Sequence, residues 1–338
     1  MTHVHEISVV VPVYQGATTL PRLVDELAVL REPFSTPGGR QARLGEVLLV
    51  HDVGPDQSDV VVRELAATYD WVRPVWLSRN FGQHAATLAG MASSGGDWVV
   101  TMDEDGQHDP RDIGSMLDAA LRDRADVVYA APRNPAPHGF LRNSASRLAK
   151  ASLRRLTGNK NAELYHSYRL MLGQIARSVA AYAGSGVYLD VALGWVSGAV
   201  TTAPVTLRSE GGRPSGYRFR TLLSHYWRMI LTGGTRLLRF VSLLGVIMAV
   251  TGFGLAALLV VARLTRTIPV AGWTSVMVAM LMGIGTVLFA LGVVAEFVGV
   301  AVNMALGRPL YLIVSDRADG PHGWEAREAR EAREAPSP

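Results

Sequence analysis

No cysteine occurs in the 338 residues, which excludes disulfide staples, thiolate metal sites and a cysteine nucleophile. Lysine is nearly as scarce. Lys150 and Lys160 are the only two, so almost all the positive charge is arginine, a side chain suited to bidentate contact with phosphate. The net charge is +4, yet no basic run interleaved with aromatics is present, which argues against a nucleic-acid binder. Charged residues make up only 18% and hydrophobic residues 49%, so most of the chain is not disordered. No G-x-G-x-x-G follows the first apolar segment, so the usual dinucleotide turn is missing. Thr2 to Glu6 holds no basic residue and the apolar run after it breaks at Pro12, so the start does not read as a signal peptide.

The mean hydropathy of +0.18 has a local cause. Val241 to Ala262 carries no charge over 22 residues, and Ile268 to Ala295 none over 28. Each exceeds the roughly 20 residues a helix needs to cross a bilayer. Arg218, Arg220, Arg228, Arg236 and Arg239 precede the first run and Arg308 and Arg317 follow the second, against Arg263 and Arg266 between them. This bias predicts two spans in a hairpin with both termini cytoplasmic. Leu222, Leu223, Tyr226, Trp227, Ile230 and Leu231 recur at helical spacing ahead of the first span, as in a helix lying in the membrane interface. The Glu-Ala-Arg repeats after Glu325 read as a solvated end.

Upstream, apolar strands alternate with helices. Ile7–Val13, Glu46–His51, Val72–Leu77, Asp97–Met102 and Asp126–Ala130 read as strands. Helical patterns lie between them, the first beginning near Thr19 with Pro21 in its opening turn; Pro33 to Gly45 reads as loop. Such alternation predicts an α/β fold with a mostly parallel sheet covered on both faces. Ligands bind beyond the carboxyl ends of such strands, which singles out Tyr14, Asp52, Arg79, Asn80 and the stretch Asp103 to His108. In that stretch, Asp103 and Asp105 stand one residue apart and could together serve one Mg²⁺ or Mn²⁺ bridging to a diphosphate.

Taken together these stretches resemble the membrane-anchored, polyprenyl-phosphate type of family 2 glycosyltransferases, relatives of dolichol-phosphate mannosyltransferase. The matching segments are Val9 to Tyr14, Asp52 to Ser58, Leu77 to Gly90, Asp97 to Pro110, Asp126 to Tyr129, Tyr168-Arg169-Leu170, Arg213 to Tyr217, Glu296 to Gly299 and Gly307 to Tyr311. The resemblance implies a GT-A catalytic domain, a nucleotide-sugar donor, a divalent metal and a polyprenyl-phosphate acceptor. It implies that Asp52 contacts the donor base, that Asp103 and Asp105 hold donor and metal with Gln107 nearby, and that Arg169 and Arg213 face phosphates. Pro12, Tyr14, Arg79, Asn80 and Ser215 complete the expected substrate-binding set.

The chain departs from the family pattern at two places. His51-Asp52-Val53-Gly54 stands where Asp-Asp-Gly-Ser is usual, and Ser167 occupies the place of an acid before Phe-Arg-Leu. Glu163 and Asp190 are the nearby acids, and Asp190 is the candidate catalytic base beside Asp105 and Arg169. A base is not essential. A phosphate monoester, with a second pKa of about 6, is already mostly ionised at neutral pH and can attack a sugar carbon itself. The expected organisation is a catalytic domain over 1–215, an amphipathic interfacial helix over 216–240, two spans over 241–303 and a cytoplasmic tail over 304–338, with assembly of copies through the spans. The alternatives are extension of a lipid-linked sugar through a hydroxyl, and a membrane-tethered nucleotide-sugar binder without turnover. Processive synthesis fits poorly, because Ser178 follows Gln174 to Arg177 where a tryptophan is needed.

Overall fold

The computed structural model describes residues 3–134, 160–184, 187–208, 236–265, 272–306 and 309–321. The first 132 residues alternate as expected: β1 (Val4–Val13), α1 (Leu20–Ala28), β2 (Phe34–Ser35), β3 (Gln41–His51), α2 (Ser58–Thr68), β4 (Val72–Leu77), α3 (Gln83–Ser93), β5 (Trp98–Thr101), α4 (Asp112–Asp123) and β6 (Val127–Pro132). The segment read as loop after Pro33 in fact contains β2, which pairs antiparallel with the start of β3. After a short 3₁₀ turn, Lys160–Glu163, come β7 (Arg169–Leu172), α5 (Gly173–Tyr182), α6 (Leu189–Val196) and β8 (Val200–Val205). Two long helices, α7 (Arg236–Leu264) and α8 (Trp273–Ala305), precede β9 (Ile313–Val314).

The sheet runs β8-β6-β7-β5-β1-β3-β4-β9, with β2 beside β3. β1, β3, β4, β5, β6 and β8 share one direction; β7, β9 and β2 oppose it. β1 is buried on both faces because its side chains alternate. Val9, Val11 and Val13 pack into one layer with Leu23 and Leu27 of α1 and Met116 of α4. Val10 faces the other layer with Leu88 and Met91 of α3. In α1, Pro21 falls in the first turn and Leu20, Leu23, Val24 and Leu27 are buried. Burying each of these is worth about 1.5–3 kcal/mol before the entropy of ordering the chain is charged against it.

Beyond the sheet, α7 and α8 are apolar around most of their surface. Leu243, Val246, Val250, Val287, Leu288 and Leu291 are all exposed. A helix apolar on all sides belongs in the core of a large protein or in a bilayer. Among the described residues one stretch, Met282–Val302, is long and apolar enough to cross a membrane; the apolar stretch of α7, Leu237–Gly252, is shorter. The uncharged run Ile268–Ala295 falls largely within α8, which begins at Trp273. Leu237 and Val241 of α7 meet Val293 of α8 and Ala162 of the 3₁₀ turn, which seats the helix pair beside the sheet domain. Most of the interfacial helix expected over 216–240 and the Glu-Ala-Arg end lie outside the described residues.

Candidate active site

The carboxyl ends of β1, β3 and β5 and the loop after β4 open into a cleft of about 490 Å³. Pro12, Val13, Tyr14, Asp52, Asn80, Gly82, Gln83, Asp103, Glu104 and Asp105 line it. The sequence therefore brings Pro12, Tyr14, Asp52, Asn80, Asp103 and Asp105 together as expected. Arg79 and Gln107 stand just outside: Arg79 lies over the Phe81 ring at 4.0 Å, and Gln107 contributes backbone to the tip loop. Arg213 and Ser215 lie outside the described residues.

Asp103 is held from three sides. Gln83 Nε2 donates to its Oδ1 at 2.6 Å and Ser167 Oγ to its Oδ2 at 2.6 Å. Its backbone N–H donates to Nδ1 of the buried His108, whose ring stacks on Tyr168 at 4.7 Å. Burial pushes the Asp103 carboxyl up, opposed by Ser167 and by the nearby Arg169 charge. Asp105 Oδ1 accepts the Gln107 N–H at 3.0 Å, closing a turn through Gly106, which has φ 74°. The Arg208 N–H donates to the Gln107 carbonyl, and its guanidinium reaches Asp109 Oδ1 at 2.9 Å and Glu26 of α1. The acidic tip is thus braced from the segment after β8 and from α1.

Glu104, between the two aspartates, turns the other way. Its oxygens accept the N–H groups of Tyr14 at 3.0 Å and Gln15 at 2.9 Å. The next two N–H groups of that loop, on Gly16 and Ala17, donate to Ser58 Oγ and Asp56 Oδ2. Four successive amides are therefore spent within the protein, so this loop does not cradle phosphate with its backbone as a glycine-rich turn does.

Asp52 is buried, and its two oxygens accept the N–H groups of Phe81 at 2.7 Å and Gly82 at 2.8 Å. Burial raises its carboxyl pKa while these two amides resist that. Asp52 so fixes the loop bearing Asn80, and Gly82, at φ 91°, turns that loop into α3. Its neighbour His51 packs edge-on to Trp76, and burial lowers its pKa, leaving a neutral ring.

Arg169 and Asp190 meet each other rather than the cleft. Arg169 in β7 pairs in register with Thr101 of β5 and Tyr129 of β6. Its guanidinium, buried, binds Asp190 Oδ1 and donates from Nε to Thr101 Oγ1 at 3.0 Å. The Tyr129 hydroxyl donates to the same Asp190 oxygen at 2.9 Å. Burial raises the Asp190 carboxyl, and Arg169 and Tyr129 offset only part of that rise. Neither Arg169 nor Asp190 lines the cleft, because a desolvated charge is tolerable only against its partner. Thr101 and Arg169 both donate to the Ser167 carbonyl, so the buried pair connects to Asp103 through Ser167. Glu163 sits in the 3₁₀ turn, also outside the cleft lining.

Sequence reasoning missed Gln83, Glu104 and the role of Ser167. Gln83 falls in the matching segment Leu77 to Gly90 with no role assigned to it, and Glu104 reads from the sequence as one more acid in the tip. The cleft offers the hard carboxylate oxygens that Mg²⁺ and Mn²⁺ require, on two residues of one tight turn.

Residues 8–179, just over half of the chain, match the family described as glycosyl transferase family 2. The undecaprenyl-phosphate 4-deoxy-4-formamido-L-arabinose transferase of Salmonella choleraesuis (strain SC-B67) is 27% identical over 316 residues, covering 92% of this chain and 93% of that one. The protein of the same name from Salmonella newport (strain SL254) matches to the same extent. Among solved structures, glucosyl-3-phosphoglycerate synthase from Mycobacterium tuberculosis, in complex with Mn²⁺, UDP and phosphoglyceric acid, shares the fold. Its TM-score is 0.50 at 17% identity, over 69% of this chain and 78% of that one. The α/β domain is GT-A-like, the enzyme is a glycosyltransferase, and the chain belongs to glycosyl transferase family 2.

Proposed function

We propose that the protein moves a sugar from a nucleotide-sugar donor to a polyprenyl phosphate at the cytoplasmic face of a membrane, inverting the sugar carbon. The observation that carries this reading is the cleft at the strand ends, with Asp103 and Asp105 on its wall. The relatives named for undecaprenyl phosphate, which match along 92% of the chain, support the acceptor class.

In this reading Pro12, Tyr14, Asp52 and Asn80 shape the pocket for the nucleotide, and Arg79 and Gln107 flank it. Asp103 and Asp105 would hold Mg²⁺ or Mn²⁺, which would offset the charge that develops on a diphosphate leaving group. Gln83 and Ser167 fix the Asp103 carboxylate before donor arrives, so little reorganisation accompanies reaction. An oxygen of the acceptor phosphate forms the new bond to the anomeric carbon as the bond to the nucleotide diphosphate breaks. No proton has to leave that oxygen, so no base is needed, and Asp190 is free to serve as the buried partner of Arg169. Arg213 and Ser215 meet the acceptor.

The catalytic unit is taken as residues 1–215, and α7 and α8 as a hairpin of two crossings. Two facts support the second point. β9 follows α8 and pairs with β4, so the chain ahead of α7 and the chain beyond α8 share one side. Met282–Val302 is long and apolar enough for one crossing, and a return to the same side would take another. The arginine bias supports a cytoplasmic location for that side.

A panel of nucleotide sugars offered to the purified full chain with polyprenyl phosphate, read by mass of the glycolipid, tests the reading. One donor yields a polyprenyl-phosphate sugar, and a chelator or Asp105→Asn removes it. Transfer to a lipid-linked sugar hydroxyl with none to polyprenyl phosphate overturns it. So does donor binding without any turnover.

A further inference from the structure

At the opposite rim of the sheet, His3, His5 and Asp97 each offer a ligand atom within 4.8 Å of the other two. We propose that these three side chains form a second divalent-metal site of the zinc class, distinct from the acidic cleft. His3 stands just ahead of β1 and His5 is its second residue, so the two imidazoles project to the same side of an extended strand. Their rings lie 4.9 Å apart and nearly perpendicular. β5 runs beside β1 with Trp98 opposite Ile7, which sets Asp97 against the start of β1. Asp97 Oδ2 accepts the Glu6 N–H at 3.0 Å and lies 3.5 Å from His3 Nε2. Trp98 braces His5 from behind, ring centroids 6.4 Å apart, with its indole N–H 3.4 Å from His5 Nδ1, a contact long enough to yield to a metal bond.

Two of the three ligands therefore have backbone positions fixed by neighbouring strands. The third, His3, has a side chain 70% exposed and free to swing inward. Metal–nitrogen bonds of about 2.0–2.1 Å put tetrahedral ligand atoms roughly 3.4 Å apart, so closure needs only a small rotation. The ligand chemistry names the ion. Two imidazoles and one carboxylate with an open fourth position suit Zn²⁺ or Co²⁺, whereas the all-carboxylate cleft suits Mg²⁺ or Mn²⁺. The distance from the cleft assigns a role: β1 is 10 residues long, so the two sites stand roughly 30 Å apart. A metal here would clamp the first strand to β5 and take no part in sugar transfer.

The test uses tag-free full chain in detergent with saturating Mg²⁺, titrated with Co²⁺ and followed by the visible d–d absorption of cobalt. One equivalent is expected to give the intense band of low-coordinate, nitrogen-ligated Co²⁺, lost when Zn²⁺ is added. His3→Gln and His5→Gln each weaken binding by about tenfold or more, while Asp105→Asn leaves it unchanged. His3→Gln touches an exposed side chain, and unchanged metal-free melting establishes that it folds. Absence of saturable binding overturns the proposal, as does binding indifferent to His3→Gln or abolished by Asp105→Asn. These readouts involve no transferase activity, so they stand or fall apart from the proposed reaction.

Discussion

Val53 has φ 49°, in the left-handed region that a β-branched residue enters only at a cost. It stands where the family pattern has glycine. Val53→Gly is therefore expected to stabilise the fold by about 1 kcal/mol, the relieved strain exceeding the added chain entropy; chemical denaturation measures it. Gly54, next along, cannot change. A Cβ there would sit 1.5 Å from the Tyr14 carbonyl oxygen. Gly54→Ala should push the Tyr14 loop into the cleft and raise the donor KM at least tenfold in whatever fraction folds. The buried Arg169–Asp190 pair makes a contrary prediction to a catalytic base. Asp190→Asn leaves a buried guanidinium uncompensated and should cost about 3–5 kcal/mol of stability. A variant that melts like the parent yet loses kcat would instead make Asp190 catalytic. At this scale the sequence revealed which residues cluster, since strand ends converge by topology. It did not reveal which way they point: Glu104 and Asp105 are neighbours with opposite duties, decided by amides 90 residues away in sequence.

β9 is two residues long, yet much hangs on it. It joins β4 at Trp76 and Leu77, and the Leu312 carbonyl accepts the Ser78 N–H at 3.0 Å. Arg63 of α2 grips Asp316 with two hydrogen bonds, 2.6 and 2.9 Å, and Arg317 donates to the Ser78 carbonyl. Ser78 is two residues from Asn80 in the cleft. Asp316→Asn should cost about 1–2 kcal/mol and raise the donor KM with little change in kcat. Burial alone would raise the Asp316 carboxyl, but the Arg63 hydrogen bonds outweigh it and hold the pKa below the ordinary value. The sign follows: this stabilisation is complete above the unfolded carboxyl value of about 3.9 and is lost as pH falls through the lower, folded value. Acid melting curves of the parent should drop more steeply there than those of Asp316→Asn. The long α/β alternation was legible because continuous β-branched strands and helical spacing carry it. β7 and β9 were not, because segments of four and two residues have no period to read and exist only through their partners.

At the scale of the molecule, apolar helices and an acidic cleft belong to one chain, and their relation is testable by topology. Reporters fused at the C-terminus and inserted between Thr265 and Gly272 should report opposite sides of the membrane, the former cytoplasmic. Equal labelling of both would remove the hairpin. The two long helices were legible in hydropathy, because a charge-free run of this length has few other folds open to it, whereas such a run does not mark where a helix begins or ends. The edge pairing of β4 with β9 carries a mechanical consequence as well. A head joined to a bilayer by one linker could swivel and bob. The sheet domain here is joined to the helix pair at two places, through α7 where the helices meet the 3₁₀ turn and through β9 on the far border of the sheet. In the proposed membrane-bound arrangement, two attachments would limit how far the mouth of the cleft tilts, so a lipid-borne acceptor would have to travel to the enzyme.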